Sequence, residues 1–171
     1  ISPDHDNREI KNIIIAGMGG SALAALIAKK WLQSEISQSL EIIRDYHLPK
    51  SVNKNTLVIA SSYSGNTEET VSALYEALTQ DAQIATISAH GKLEEIANRK
   101  DIAHVKLPSG LQPRMAVIYN LRALIKLLVA FDIVGPEKYD EIEQSANFLR
   151  EETKNWLARV PSDVNLAKQI A

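Results

Sequence analysis

The 171-residue sequence contains no cysteine. This absence excludes disulfide bonds, thiolate nucleophiles and zinc sites built on cysteine, and it fits a reducing cytoplasm. An excess of positive charge is also missing, because 19 basic and 21 acidic residues give a formal net charge of −2. The composition therefore predicts neither nucleic acid nor an anionic membrane as a partner.

Long uninterrupted apolar runs are missing as well. The longest apolar stretch, residues 115–134, is interrupted by Arg122, Lys126 and Asp132. Charges at the centre of a bilayer are costly, so this stretch predicts a buried or interface helix and not a membrane span. No signal peptide is visible, and we expect a cytoplasmic protein of ordinary globular composition, with 45% hydrophobic and 23% charged residues.

Five short runs of apolar, often β-branched residues recur along the chain, with helical patterns between most of them. Strands that alternate with helices predict parallel pairing and right-handed crossovers. Continuous apolar strands fit a sheet that is covered on both faces. The sequence therefore predicts an α/β fold with strands at 12–16, 41–44, 56–60, 83–87 and 103–107.

The carboxyl-terminal third of the sequence is predicted to be helical. After helices at 22–32, 68–78 and 93–99, a long apolar helix is expected at 114–131 and a charged one at 136–157. Pro161-Ser162-Asp163 has the composition of a turn with a helix N-cap, followed by a helix over 164–170. We expect one domain over residues 1–160 and the start of a second, truncated domain over 161–171.

The run Ser-Tyr-Ser-Gly-Asn-Thr at residues 62–67, here called the hydroxyl loop, stands between a strand and a helix. A helix N-terminus offers unpaired N–H groups and partial positive charge, and nearby Ser and Thr hydroxyls can complete a cage around a phosphate. No lysine lies in the run, unlike the phosphate loop of nucleotide triphosphatases. The alternative is that the hydroxyls only cap the helix. We favour a phosphate monoester, because open α/β sheets bind ligands at the carboxyl ends of strands.

Two further segments are candidates for ligand contact. Gly-Met-Gly-Gly-Ser-Ala at 17–22 forms the first strand–helix turn, and it also matches a dinucleotide fingerprint with Asp45 as the ribose-binding acid. The alternative is a tight turn without a ligand. Residues 108–114 deliver Arg114 to a helix start, where its charge opposes the helix dipole and favours an anionic ligand over a purely solvated arginine.

Three motifs together resemble the sugar isomerase (SIS) domain, and more narrowly the amino-terminal half of bifunctional phosphoglucose/phosphomannose isomerases. They are Gly-Met-Gly-Gly-Ser at 17–21, Ser-Tyr-Ser-Gly-Asn-Thr-Glu-Glu-Thr at 62–70 and Gly-Leu-Gln-Pro-Arg at 110–114. The resemblance implies a flavodoxin-like three-layer α-β-α sandwich with a five-stranded parallel sheet. It also implies a homodimeric enzyme with two SIS domains, whose ligand is a hexose phosphate.

The reaction implied by this resemblance is the reversible isomerisation of glucose 6-phosphate or mannose 6-phosphate to fructose 6-phosphate through an enediol(ate), without a cofactor or a metal. The family's phosphate-binding hydroxyls, its sugar-lining glycine-rich loop and its enediolate-stabilising arginine correspond here to Ser62, Ser64 and Thr67, to Gly20 and Ser21, and to Arg114.

The remaining catalytic groups of the family, a glutamate, a histidine and a lysine, belong to its second half and have no counterpart here. The isolated chain is therefore expected to bind hexose phosphates weakly and to turn over little or none. A non-catalytic SIS module that senses a sugar phosphate is the alternative from another functional class. A dinucleotide-binding oxidoreductase is a third hypothesis.

Overall fold

A single parallel sheet organises the computed structural model, which describes residues 8–170. Its strand order is 2-1-3-4-5, and every neighbouring pair of strands is parallel. The predicted parallel α/β fold is confirmed. The second strand begins two residues earlier than expected. The strands are β1 (Asn12–Gly17), β2 (Ser39–Ile43), β3 (Thr56–Ser61), β4 (Gln83–Ser88) and β5 (Ala103–Lys106).

Helices follow most strands, as the alternating pattern predicts. They are α1 (Gly19–Leu32), α2 (Glu68–Ala77), α3 (Lys92–Lys100), α4 (Val117–Ala130), α5 (Glu137–Glu152) and α6 (Leu166–Ile170), with 3₁₀ turns at Pro113–Ala116 and Thr153–Trp156. None of the helices within residues 8–170 combines the length and the apolarity needed to cross a bilayer.

Both faces of the sheet are covered, which confirms the expected three-layer sandwich. Leu74 of α2 and Leu93 of α3 pack with Ile14 and Val58 on one face. On the other face, α1 and α4 pack against each other and against the strands. All six residues of β3 are buried. This burial explains why the strand is almost continuously apolar, because it has no face in contact with water.

The order of the strands reverses between β1 and β3. The chain leaves β1 towards β2 on one side and returns to place β3 on the other side. The loops that follow β1 and β3 lead to helices on opposite faces of the sheet. Such a reversal opens a crevice at the carboxyl ends of the two strands, where sheets of this kind bind ligands.

The carboxyl-terminal helices depart from the predicted limits. Residues 8–135 form one compact unit and residues 136–170 another. Pro113 begins a 3₁₀ turn, so α4 starts at Val117 and not at Arg114. The last helix begins at Leu166 and not at residue 164. Asn165 caps it, because its side-chain oxygen accepts the N–H of Lys168 at 3.2 Å. Residues 1 and 171, the outer limits of the two expected domains, lie outside the described residues.

Candidate functional site

A cavity of about 180 Å³ lies at the carboxyl ends of β1 and β3, where the strand order reverses. This volume is below the range of about 300–1,000 Å³ that small-molecule sites usually have, so the cavity accounts for part of a ligand site. The residues that line it come from the glycine-rich turn, the hydroxyl loop and the 3₁₀ turn before α4. They are Met18, Gly19, Gly20, Ser21, Ser62, Tyr63, Ser64, Thr67 and Pro113.

The three hydroxyls of the hydroxyl loop face one another. Ser62 Oγ lies 2.8 Å from Thr67 Oγ1 and 3.3 Å from Ser64 Oγ. Thr67 occupies the N-cap position of α2, yet its side chain makes no capping hydrogen bond to that helix. A threonine that served only as a cap would accept an N–H from the first turn. The capping interpretation therefore does not account for this cluster, which presents three hydroxyls at a helix N-terminus.

The hydroxyl loop is held in place by the chain around the start of α3. The N–H of Leu93 donates to Gly65 O at 3.0 Å, and the N–H of Lys92 donates to the side-chain oxygen of Asn66 at 3.0 Å. The N–H of Ala89 donates to Tyr63 O at 3.0 Å. These contacts fix the loop before any ligand arrives, which lowers the entropic cost of binding.

The glycine-rich turn approaches the 3₁₀ turn before α4 at close range. A Cβ added to Gly20 would lie 2.8 Å from Pro113 O, so only glycine leaves room for this contact. The contact brings the start of α1 and the segment that carries Arg114 to the same side of the cavity. Gly20 thus has a packing role in addition to lining the cavity.

A buried hydrogen-bonded chain ends at Ser21. Ser61 Oγ donates to Asn120 Oδ1 at 2.8 Å, and Asn120 Nδ2 donates to Ser21 Oγ at 2.9 Å. Asn120 is 2% exposed and is the one polar residue among the buried residues of α4. Because Ser21 accepts from Asn120, its own proton remains available for a ligand in the cavity. Sequence reasoning missed Ser61 and Asn120, although a lone asparagine among apolar residues of α4 is a detectable signal.

The cavity gathers five of the six residues that the sequence suggested for the site. Gly20, Ser21, Ser62, Ser64 and Thr67 all line it. Arg114, the sixth, is exposed in the 3₁₀ turn and does not line the cavity, although Pro113 beside it does. The roles assigned to these residues stay predictions.

The electrostatics of the cavity favour an anion. Both α1 and α2 begin at its edge, and helix N-termini carry partial positive charge. No carboxylate of the described residues lines the cavity. The nearest acidic residues in sequence, Glu68 and Glu69, lie in the first turn of α2, where they interact favourably with its dipole. Glu69 is the main cause of the raised pKa of the exposed Tyr46, whose hydroxyl donates to Glu68.

Metal ligands are not clustered in the structure. Within residues 8–170, no group of three or more histidine, aspartate or glutamate side chains is placed to hold a metal ion. That the reaction needs no metal or cofactor stays a prediction.

His104 on β5 is a half-buried titratable group outside the cavity. Its Nδ1 lies 2.8 Å from Thr86 Oγ1, and its buried Nε2 has no hydrogen-bond partner among the described residues. Burial is the main cause that lowers the pKa of His104 below its ordinary value of 6.5, with Glu94 opposing and Lys106 adding to the shift. The neutral imidazole is therefore the form that the folded protein favours.

We predict that this histidine makes folding stability depend on pH. The unfolded chain binds a proton at His104 more readily than the folded chain does. The contribution of neutral His104 to the free energy of unfolding is thus complete above pH 6.5. It is lost as the pH falls through that value towards the lower folded-state pKa. Urea unfolding of the wild type and of His104→Gln at several pH values measures it. The wild type should lose more stability on acidification, and superimposable pH profiles would show that His104 is not responsible.

The chain is similar to proteins of one family. A family model described as SIS domain matches residues 8–129. A protein of Caldicellulosiruptor bescii named bifunctional phosphoglucose/phosphomannose isomerase is 38% identical over 170 residues, which cover 99% of this chain and 50% of that protein. A protein of the same name from Thermoplasma acidophilum is 39% identical over 144 residues, which cover 84% of this chain and 42% of that protein.

A solved structure shares the fold. The crystal structure of tagatose-6-phosphate ketose/aldose isomerase from Escherichia coli aligns with a TM-score of 0.59 at 20% identity, over 85% of this chain and 44% of that one. At that identity the likeness concerns the fold alone. The chain spans about half the length of the curated relatives that it matches.

Proposed function

This chain belongs to the SIS domain family, and from that premise we propose that it is the phosphosugar-binding domain of an aldose–ketose isomerase. The full enzyme interconverts glucose 6-phosphate or mannose 6-phosphate with fructose 6-phosphate through an enediol(ate). The names of relatives that are 38% and 39% identical support an isomerase over a non-catalytic sensor of sugar phosphates.

The observation that carries this proposal is the cluster of three hydroxyls at the start of α2, where the N-cap residue Thr67 makes no capping hydrogen bond. Ser62 Oγ lies within 3.3 Å of both Ser64 Oγ and Thr67 Oγ1 beside a helix N-terminus, and no carboxylate of the described residues lines that cavity. A phosphate dianion offers several acceptor oxygens for these hydroxyls and is attracted by the helix dipole. The hydroxyl loop therefore holds the phosphate of the substrate.

The sugar lies on the other side of the cavity, beside the glycine-rich turn. Ser21 donates its free proton to a sugar oxygen, and Gly20 lines the same side of the cavity. Arg114, carried by the exposed turn next to Pro113, stabilises the negative charge that develops on the enediolate.

Proton transfer requires a group that this cavity does not contain. Of the described residues that line it, Tyr63 alone has a titratable side chain, and its hydroxyl already donates to Pro108 O. The base is supplied by a second SIS domain. In this proposal the present domain covers residues 1–160, and residues 161–171 begin the next one.

An exposed apolar surface supports the docking of that second domain. Leu23 and Leu26 of α1 are 48% and 43% exposed, and Ile118 and Tyr119 of α4 are 54% and 47% exposed. Helices α1 and α4 pack side by side, and we infer that these side chains share one exposed face of the pair. Contiguous exposed apolar patches mark interaction sites. The second SIS domain covers this patch, and the complete enzyme is a cytoplasmic homodimer.

Calorimetric titration of the chain with fructose 6-phosphate tests the proposal. We expect binding with a dissociation constant in the millimolar range or below, and little or no isomerisation by the isolated chain. Ser64→Ala/Thr67→Ala should weaken binding by at least about tenfold, because each hydrogen bond to a charged group contributes about 1.5–3 kcal/mol.

Ser37→Ala/Thr79→Ala is a matched control for this titration. It removes one serine and one threonine hydroxyl from exposed positions that do not line the cavity. This variant should bind as the wild type does. Absence of binding at millimolar fructose 6-phosphate, or equal binding by the two double variants, would contradict the proposal.

A further inference from the structure

The phenol of Tyr63 joins the hydroxyl loop to the segment that leads to Arg114. Its hydroxyl donates to Pro108 O at 3.0 Å and accepts the N–H of Leu111 at 2.8 Å. One hydroxyl group thus serves as donor and acceptor to two points of the same segment, which follows β5. Neither partner of Tyr63 in this contact lines the cavity.

The segment at residues 108–114, here called the arginine segment, has few other anchors. Just before the segment, the N–H of Leu107 donates to Ser88 O at 2.8 Å. At its other end, the N–H of Met115 donates to Gln112 O at 2.8 Å and closes a turn. Pro108 and Pro113 have no backbone N–H to donate. The phenol therefore holds the middle of a segment that otherwise depends on its two ends.

Tyr63 is itself firmly placed. Its carbonyl oxygen accepts the N–H of Ala89 at 3.0 Å, and the preceding N–H of Ser62 donates to Ile87 O at 3.0 Å. Both partners belong to the end of β4 or to the residue that follows it. The position of the phenol is consequently set by the same backbone contacts that set the hydroxyl loop.

We propose that Tyr63 is a positioning residue that fixes Arg114 relative to the hydroxyl loop, an inference that rests on the proposed function of both. In any one bound conformation of the sugar, the phosphate and the reacting carbons lie a fixed distance apart. A guanidinium that is to meet the enediolate must therefore keep a constant position relative to the phosphate site. The Tyr63 phenol provides this link, because it is one residue away from Ser62 and Ser64.

A double-mutant cycle tests whether Tyr63 acts through Arg114. The probes are inorganic phosphate and a five-carbon hydroxamate phosphate, whose planar hydroxamate resembles the enediolate. Tyr63→Phe should weaken the binding of the hydroxamate phosphate threefold to tenfold, as expected for the loss of ordinary hydrogen bonds. The same substitution should change the affinity for inorganic phosphate less than twofold. In the Arg114→Ala background, Tyr63→Phe should change neither affinity by more than twofold.

Tyr75→Phe is the matched control, since it removes the hydroxyl of an exposed tyrosine on α2. It should leave both affinities unchanged. An equal loss from Tyr63→Phe with and without Arg114, or an equal loss for both probes, would overturn the inference, because Tyr63 would then act on the loop and not on the arginine.

Amide hydrogen exchange tests the same link without a ligand. In Tyr63→Phe the N–H of Leu111 should exchange faster, whereas the N–H of Leu107, which is bonded to Ser88, should exchange at the wild-type rate. If the wild type binds neither probe, the proposed function fails, and the exchange rates alone then decide whether Tyr63 holds the arginine segment. Unchanged exchange at Leu111 would overturn the inference.

Discussion

Gly65→Ala is expected to lower the free energy of unfolding by about 2–5 kcal/mol, the sum of about 1–2 kcal/mol for a left-handed backbone and about 1–3 kcal/mol for overpacking. Gly65 has a φ of +67°, and a Cβ added there would overlap the carbonyl oxygen of His90. That oxygen belongs to the backbone, which cannot rotate away as a flexible side chain could. The hydroxyl loop would have to separate from the start of α3, with loss of phosphate binding.

Gly110→Ala separates the two contributions. Gly110 also has a positive φ, +85°, but nothing lies within 4 Å of an added Cβ. It should therefore lose only the backbone contribution, about 1–2 kcal/mol. Urea unfolding gives both free energies. Equal losses in the two variants would show that the hydroxyl loop is not tightly packed against residues 90 and 91.

Asn120→Leu is expected to lower the free energy of unfolding by about 2–6 kcal/mol, since it leaves two buried hydroxyls without a partner and each of them costs about 1–3 kcal/mol. Leucine has the same number of side-chain heavy atoms and the same branching at Cγ as asparagine, but it cannot accept from Ser61 or donate to Ser21. Those two serines are 2% and 6% exposed, so water cannot readily replace the lost partner. Chemical denaturation monitored by circular dichroism measures the effect.

Removal of the two hydroxyls left without a partner, those of Ser21 and Ser61, should restore much of the lost free energy of unfolding. In Asn120→Leu/Ser21→Ala/Ser61→Ala, no unpaired hydroxyl of the Ser61–Asn120–Ser21 hydrogen-bond network remains. Replacing all partners of a buried hydrogen bond is far less costly than replacing one. We expect the triple variant to be more stable than Asn120→Leu alone. A triple variant that is less stable than the single one would mean that packing, and not unpaired polarity, decides the cost.

The sequence was sufficient to predict the sheet because its signals are local. The interiors of β1 and β3 are continuously apolar, and a turn rich in glycine or serine follows each strand, so the sequence indicates the alternation of strands and helices. The helix limits were less predictable. The 3₁₀ turn after Pro113 and the capping role of Asn165 depend on hydrogen bonds that composition does not specify.

The sequence predicts only those site residues that lie within one of the short motifs. The family resemblance, drawn from three motifs, is confirmed by the SIS model over residues 8–129. The contacts of Ser61 with Asn120 and of Tyr63 with Leu111 span 59 and 48 positions of the chain. Their pairing follows from how α4 and the arginine segment pack against the sheet, which no local pattern contains.

A crystal structure of this chain bound to fructose 6-phosphate tests the central claim most directly. We expect the phosphate oxygens within hydrogen-bonding distance of the hydroxyls of Ser62, Ser64 and Thr67, with the sugar extending towards Ser21. A phosphate bound elsewhere, with the three hydroxyls still paired among themselves in an open cavity, would contradict the claim that this loop holds the substrate.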